Sequence, residues 1–92
     1  MKLIESGSSY AYYQYLRDVS DRADVRQALI DHGEGWYCYL YLRDIADRAD
    51  VRQAMIESGD SMACCRYCLH IKDRPEVRAA IDKAGGRKKR KI

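Results

Sequence analysis

No apolar run in this chain approaches the ~20 residues that a membrane-spanning helix requires, and the opening residues MKLIESG lack the apolar stretch of a secretory signal. A soluble protein of the cytoplasm, with no membrane partner, is expected. Histidine is scarce: His32 and His70 fall in different parts of the chain, and neither has a nearby nucleophile at a compelling spacing. A glycine-rich phosphate loop is missing as well, because the step Gly85, Gly86 precedes a basic run and opens no helix. These absences leave catalysis with little support, so no enzyme activity and no cofactor are expected. The four cysteines lack the evenly spaced, loop-rich framework of a small secreted domain and fall inside helical stretches, which predicts reduced thiols. At 92 residues there is room for one small domain and no second.

What the chain does have is repetition. Tyr15 to Ile30 reads YLRDVSDRADVRQALI, Tyr41 to Ile56 reads YLRDIADRADVRQAMI, and Tyr67 to Asp82 gives a looser YCLHIKDRPEVRAAID, a period of 26 residues. A fixed period in that range means stacked, similar units, each unable to bury its apolar face alone. Such arrays present extended surfaces, which favours binding over chemistry.

Each unit holds two helical patterns. The first covers about Ser9 to Ser20, Gly35 to Ala46 and Ser61 to Lys72, and is apolar around most of its circumference, as with Tyr12, Tyr15, Leu16 and Val19, then Cys38, Tyr41, Leu42 and Ile45. A helix of that kind lies between neighbours. Its one polar stripe is Gln14, Arg17 and Asp18, then Leu40, Arg43 and Asp44, then Arg66, Leu69 and His70. The second helix is predicted to open at Asp21, Asp47 and Asp73 as N-caps, with Asp24, Asp50 and Glu76 completing an acidic capping box. Pro75 fits a first helical turn, where an amide has no internal partner. Its apolar stripe is Val25, Ala28 and Leu29, repeated as Val51, Ala54, Met55 and Val77, Ala80, Ile81. Gly7, Gly33, Gly59 and Gly85 recur just past this stripe and read as left-handed C-terminal caps.

The expected fold is therefore all-α: a short right-handed α-solenoid of three 26-residue helical hairpins, with repeats at 8–33, 34–59 and 60–85 and a partial unit at 1–7. A leucine-rich repeat shares the period range but needs an alternating leucine strand that is missing here. Together, residues 1–86 form one helical-repeat domain and 87–92 a disordered basic tail. Taking Arg87, Lys88, Lys89, Arg90 and Lys91 from the 17 Lys and Arg leaves 12 against 14 acidic residues, so a body of about −2 carries a cationic tail.

The stretches DRADVRQAL, DRADVRQAM and DRPEVRAAI resemble the second helix of HEAT-like repeats, and the array over residues 3–85 is similar to short Tyr-rich helical repeats of bacterial and phage proteins. The unit is shorter than an ordinary HEAT unit. The resemblance implies the solenoid architecture and, by analogy, a binding role such as that of a small inhibitor or adaptor occupying a partner's surface. It also implies an Asp and Arg ladder between repeats, here Asp21, Asp47 and Asp73 with Arg26, Arg52 and Arg78.

Three surfaces are candidates for contact. Departures from the repeat place Leu40 and Leu69 in slots held elsewhere by polar residues; with Arg43 and the amphipathic anchor Trp36 they form the candidate protein-binding set. Terminal repeats without polar caps predict self-association, through the ends or through a first unit rich in Tyr10, Tyr12, Tyr13 and Tyr15. Nucleic acid is the alternative partner, held by Arg87, Lys88, Lys89, Arg90 and Lys91 and by the periodic Arg22, Arg48 and Arg74. A zinc site at Cys64, Cys65, Cys68 and His70 is rejected on geometry, because neighbouring helical positions diverge by about 100°. These thiols are expected to fill core slots instead, Cys64 sharing one with Cys38.

Overall fold

The computed structural model describes residues 8–85, and these form six α-helices: α1 (Ser9–Asp18), α2 (Ala23–His32), α3 (Gly35–Asp44), α4 (Ala49–Ser58), α5 (Ser61–His70) and α6 (Pro75–Gly85). No strand occurs among the described residues. The partial unit 1–7 with its Gly7 cap and the basic run Arg87–Lys91 lie outside them. Consecutive helices pack within each repeat, and each helix also packs on its counterpart one repeat along, α1 on α3 on α5 and α2 on α4 on α6. No described helix is long and apolar enough to cross a membrane.

The repeat's local rules explain the helix ends. Gly33 and Gly59 adopt φ of 75° and 76°, so both end their helices in the left-handed conformation that a side chain disfavours. Gly85 is the last residue of α6. Ser8 and Asp60 cap α1 and α5, accepting from the amides of Ala11 and Ala63 at 3.3 and 3.1 Å. Pro75 occupies the first position of α6, where its missing amide costs nothing.

Two expectations about boundaries need correction. The odd helices stop two residues earlier than their apolar pattern, at Asp18, Asp44 and His70. Two successive amides after each helix converge on one carbonyl: Val19 and Ser20 on Tyr15, Ile45 and Ala46 on Tyr41, Ile71 and Lys72 on Tyr67. The even helices begin later than predicted, with Arg22 and Arg48 at the N-cap and no side-chain cap bond. Asp21, Asp47 and Asp73 are not caps, because other partners claim their carboxylates. The first-turn acids Asp24 and Asp50 each accept from the amide of the next residue, Val25 and Val51, at 2.9 Å.

One core runs through all three repeats. Val25, Leu29, Val51, Met55 and Val77 from the even helices meet Tyr12, Leu16, Cys38, Tyr41, Leu42, Cys64 and Tyr67 from the odd ones, all buried. Full burial of each of those valines contributes about 1.5–3 kcal/mol. Cys38 and Cys64 share one slot, as the period implies. Cys68 is half-buried and Cys65 exposed, so the latter does not fill core. Val19 is exposed too, against expectation: it stands in the first repeat, where its counterpart Ile45 has a neighbour to pack on. Gly35 is buried where α3 meets the end of α4, and a Cβ there would come within 2.3 Å of Ser58 Oγ and 2.8 Å of Asp60 Cβ. A larger residue there would force these side chains to move.

Candidate functional site

Eight tyrosines and no phenylalanine make up most of the aromatic content. A buried tyrosine differs from phenylalanine in needing a partner for its hydroxyl. Tyr41 and Tyr67, fully buried at equivalent positions, each donate across a repeat boundary: Tyr41 Oη to both carboxylate oxygens of Asp21 at 3.0 and 2.8 Å, and Tyr67 Oη to both of Asp47 at 2.8 Å. The same aspartates take an arginine five residues on, Arg26 on Asp21 at 2.9 Å and Arg52 on Asp47 at 2.8 Å. Arg74 then donates to Tyr67 Oη at 2.7 Å and to Asp47 at 3.2 Å. The Asp and Arg pairs are thus internal to each repeat, which corrects the ladder implied by the HEAT resemblance. Tyr41 and Tyr67 make the crossing, assisted by Arg74 and by Arg52 near Glu76 at 3.8 Å.

The electrostatics follow from this geometry. Burial, then the hydrogen bond to Asp21, pushes the Tyr41 phenol up to about 12, so it stays a donor at neutral pH. For Asp47 burial works upward, but donors from Tyr67, Arg52 and Arg74 outweigh it and hold the carboxyl below its ordinary value. Sequence reasoning missed the tyrosines as rung-forming residues. The signal was present in the strict recurrence of Tyr15, Tyr41 and Tyr67 in a chain without phenylalanine.

The outer face of the odd helices carries the predicted binding residues. Trp36 is partly exposed and rests on Tyr39, with ring centroids 5.2 Å apart, and Arg43 lies over the same ring at 5.7 Å from its centroid while bonding Asp44 at 2.7 and 2.9 Å. Trp36, Tyr39 and Arg43 therefore form one contiguous group on α3. Leu40 is half-buried and packs against the core, so it offers less surface than its polar slot suggests. Leu69 stands apart on α5, in the register of Arg43, and is 72% exposed. In the first repeat Tyr13 has the place of Tyr39, with Arg17 at 5.1 Å from its centroid, and its hydroxyl bonds Asp44 of α3.

In the third repeat both members of that pair change, tyrosine to Cys65 and arginine to Leu69. With Met62, which is 57% exposed, they lie three and four residues apart on one face of α5. Met62 also completes a row of exposed apolar residues with Tyr10 and Trp36, one from each repeat at the same register. The repeat register aligns these three positions, and their shared exposure is what the structure adds.

Other candidates are spoken for. Tyr12 and Tyr13 are buried, against a self-association surface built on all four tyrosines of the first repeat; only Tyr10 and part of Tyr15 remain outside. Tyr12 sits edge-on to His32, whose Nδ1 lies 2.5 Å from the buried Ser9 Oγ. Arg22, Arg48 and Arg74 all face carboxylates, Asp24 at 2.5 Å, Asp50 at 3.4 Å and Asp47 at 3.2 Å. Burial pushes the Cys38 and Cys64 thiols up to about 12 and about 11, which keeps both protonated. No protein-family model, curated protein or solved structure matches the chain.

Proposed function

We propose that this chain is a non-catalytic protein–protein interaction module, a short right-handed solenoid of three HEAT-like hairpins that acts as an adaptor or inhibitor by covering a partner's surface. The packing of each helix on its counterpart one repeat along supports the solenoid reading. The observation that carries the binding reading is the α5 face: Met62, Cys65 and Leu69 are exposed where the first two repeats use arginine to cover a tyrosine ring. Apolar side chains released at one end of a regular row, beside the amphipathic Trp36, are the arrangement expected of a contact patch. The thiols with raised pKa values add no nucleophile to this picture.

The test is a nuclease-treated pull-down from lysate followed by mass spectrometry, comparing the intact chain with a Met62→Glu, Leu69→Glu variant. Both side chains are more than half exposed, so the variant should fold normally by circular dichroism. A protein retained by the intact chain and lost with the variant supports the proposal; identical retention by both removes this patch from it.

The unbroken run Arg87–Lys91 favours a second reading, a nucleic-acid-associated protein whose affinity resides in the tail. Binding of that kind weakens steeply with salt and disappears on deletion of residues 87–92.

A further inference from the structure

Among the described residues, the rung that joins neighbouring repeats is complete twice and half-made twice. Between the first and second repeats Asp21 meets Tyr41, and between the second and third Asp47 meets Tyr67. Tyr15 is the same tyrosine one repeat earlier, and among the described residues no carboxylate accepts its hydroxyl; only Arg22 approaches, at 3.5 Å. Asp73 is the same aspartate one repeat later, and among the described residues no tyrosine donates to it; it holds Arg78 alone, at 2.6 Å.

The exposures differ in the same way. Arg52 and Asp47 in the finished rung are 13% and 26% exposed, whereas Arg78 and Asp73 are 67% and 55% exposed. At the opposite end Tyr15 is half-buried where Tyr41 and Tyr67 are fully buried. Among the described residues Tyr15 therefore lacks an acceptor of the kind that Asp73 presents at the opposite end.

We propose that the occupant of each end is the other end of a second copy of this chain, joined head to tail by a fourth rung. This rests on the stacked-hairpin reading above. Tyr15 of one copy donates to Asp73 of the next, as Tyr41 does to Asp21. Arg22 of the first copy stands where Arg74 stands in the finished rung and brings positive charge to Asp73. Arg78 of the second copy faces Asp24 of the first, the counterpart of Arg52 facing Glu76. The phenol of Tyr15 and the carboxylate of Asp73 that it would meet stand at different ends of the described array, with Arg22 set to approach Asp73 and Arg78 to approach Asp24, which selects a heterologous contact over a two-fold dimer. The rung also sits at the edge formed by the turns within each repeat, while residues 8 and 85 lie at the other edge.

Sedimentation velocity of the full chain over a micromolar to submillimolar series tests this. The expected result is a weight-average mass that grows with concentration beyond that of a dimer. Tyr15→Phe and Asp73→Asn, each alone, should weaken association about tenfold or more, the loss attached to a hydrogen bond to a charged acceptor. Asp73→Arg, which opposes Arg22 with like charge, should abolish it. Mixing Tyr15→Phe with Asp73→Arg leaves one intact pair of ends, so the mixture should stop at a heterodimer. Unchanged circular dichroism checks that the variants are folded. A mass independent of concentration overturns the proposal, as does association that these substitutions leave untouched. A strictly monomeric chain that still retains a Leu69-dependent partner overturns head-to-tail assembly and leaves the interaction module standing. Self-association through the rung with no such partner does the reverse.

Discussion

Asp47 and Asp73 occupy the same place in successive repeats and live in different environments. Asp47 is enclosed by Tyr67, Arg52 and Arg74, whereas Asp73 keeps a single, well-exposed arginine. Similar local sequence surrounds both residues, DRAD at Asp47 and DRPE at Asp73; among the described residues a following repeat packs against the first and none against the second. The difference teaches that the rung is a property of the interface between repeats. A carboxylate there becomes structural when a neighbour supplies the phenol and removes water.

The largest expected contrast comes from deleting the two carboxylates. Asp47→Ala strips the acceptor from a buried hydroxyl and a largely buried guanidinium, so urea unfolding should show a loss of about 2–4 kcal/mol. Asp73→Ala should stay within about 0.5 kcal/mol in dilute solution, as exposed ion pairs usually do. Equal losses would mean that the rung contributes nothing beyond an ordinary surface pair.

Gly35→Ala sharpens the contrast between repeats in a second place. Its new Cβ would press on Ser58 and Asp60, which should cost about 1–3 kcal/mol by chemical unfolding. Serine already occupies the equivalent Ser61, half-exposed at the start of α5, so Ser61→Ala should change little.

Smaller effects are expected from the phenols and from acid. Tyr67→Phe should cost about 1–2 kcal/mol by removing the hydroxyl that donates to Asp47 and accepts from Arg74, and Tyr15→Phe close to nothing in the monomer. Because the folded Asp47 carboxyl lies below its unfolded value of about 3.9, its contribution is fully present above that pH and disappears as pH falls through the lower folded value. Thermal melts of the Asp47→Asn variant should therefore show a weaker dependence on acid than the parent chain. Matching acid profiles would remove Asp47 from the linkage.

Much of the repeat's internal design was legible in advance. The 3.6-residue stripe through Val25, Val51 and Val77 placed these valines in the core, and glycine at 33 and 59 marked helix ends that need a positive φ. Both signals act within a few residues, where chain geometry leaves few alternatives. The aspartates were misread as helix caps because a carboxylate beside a helix start has two competing uses. Helix amides and a tyrosine hydroxyl from the next repeat are both good donors, and only the stacked arrangement places the phenol within reach. The outer face shows the same division. Leu69 was marked by its departure from the repeat, but Leu40 departed equally and packs against the core, while the row of Tyr10, Trp36 and Met62 depended on which side of the odd helices faces outward.

The sequence by itself determined six helices, the glycine ends of α2 and α4, the valine stripe and the shared slot of Cys38 and Cys64, since these follow from periodicity and local backbone preference. Tertiary structure alone decided that Tyr41 reaches Asp21, that Tyr67 reaches Asp47, and that Tyr15 and Asp73 are left without their counterparts among the described residues. The tyrosine and aspartate of each completed rung are 20 residues apart in the chain. A hydrogen bond over that separation exists only after two repeats have packed, because packing both delivers the donor and excludes the water that would otherwise satisfy the carboxylate.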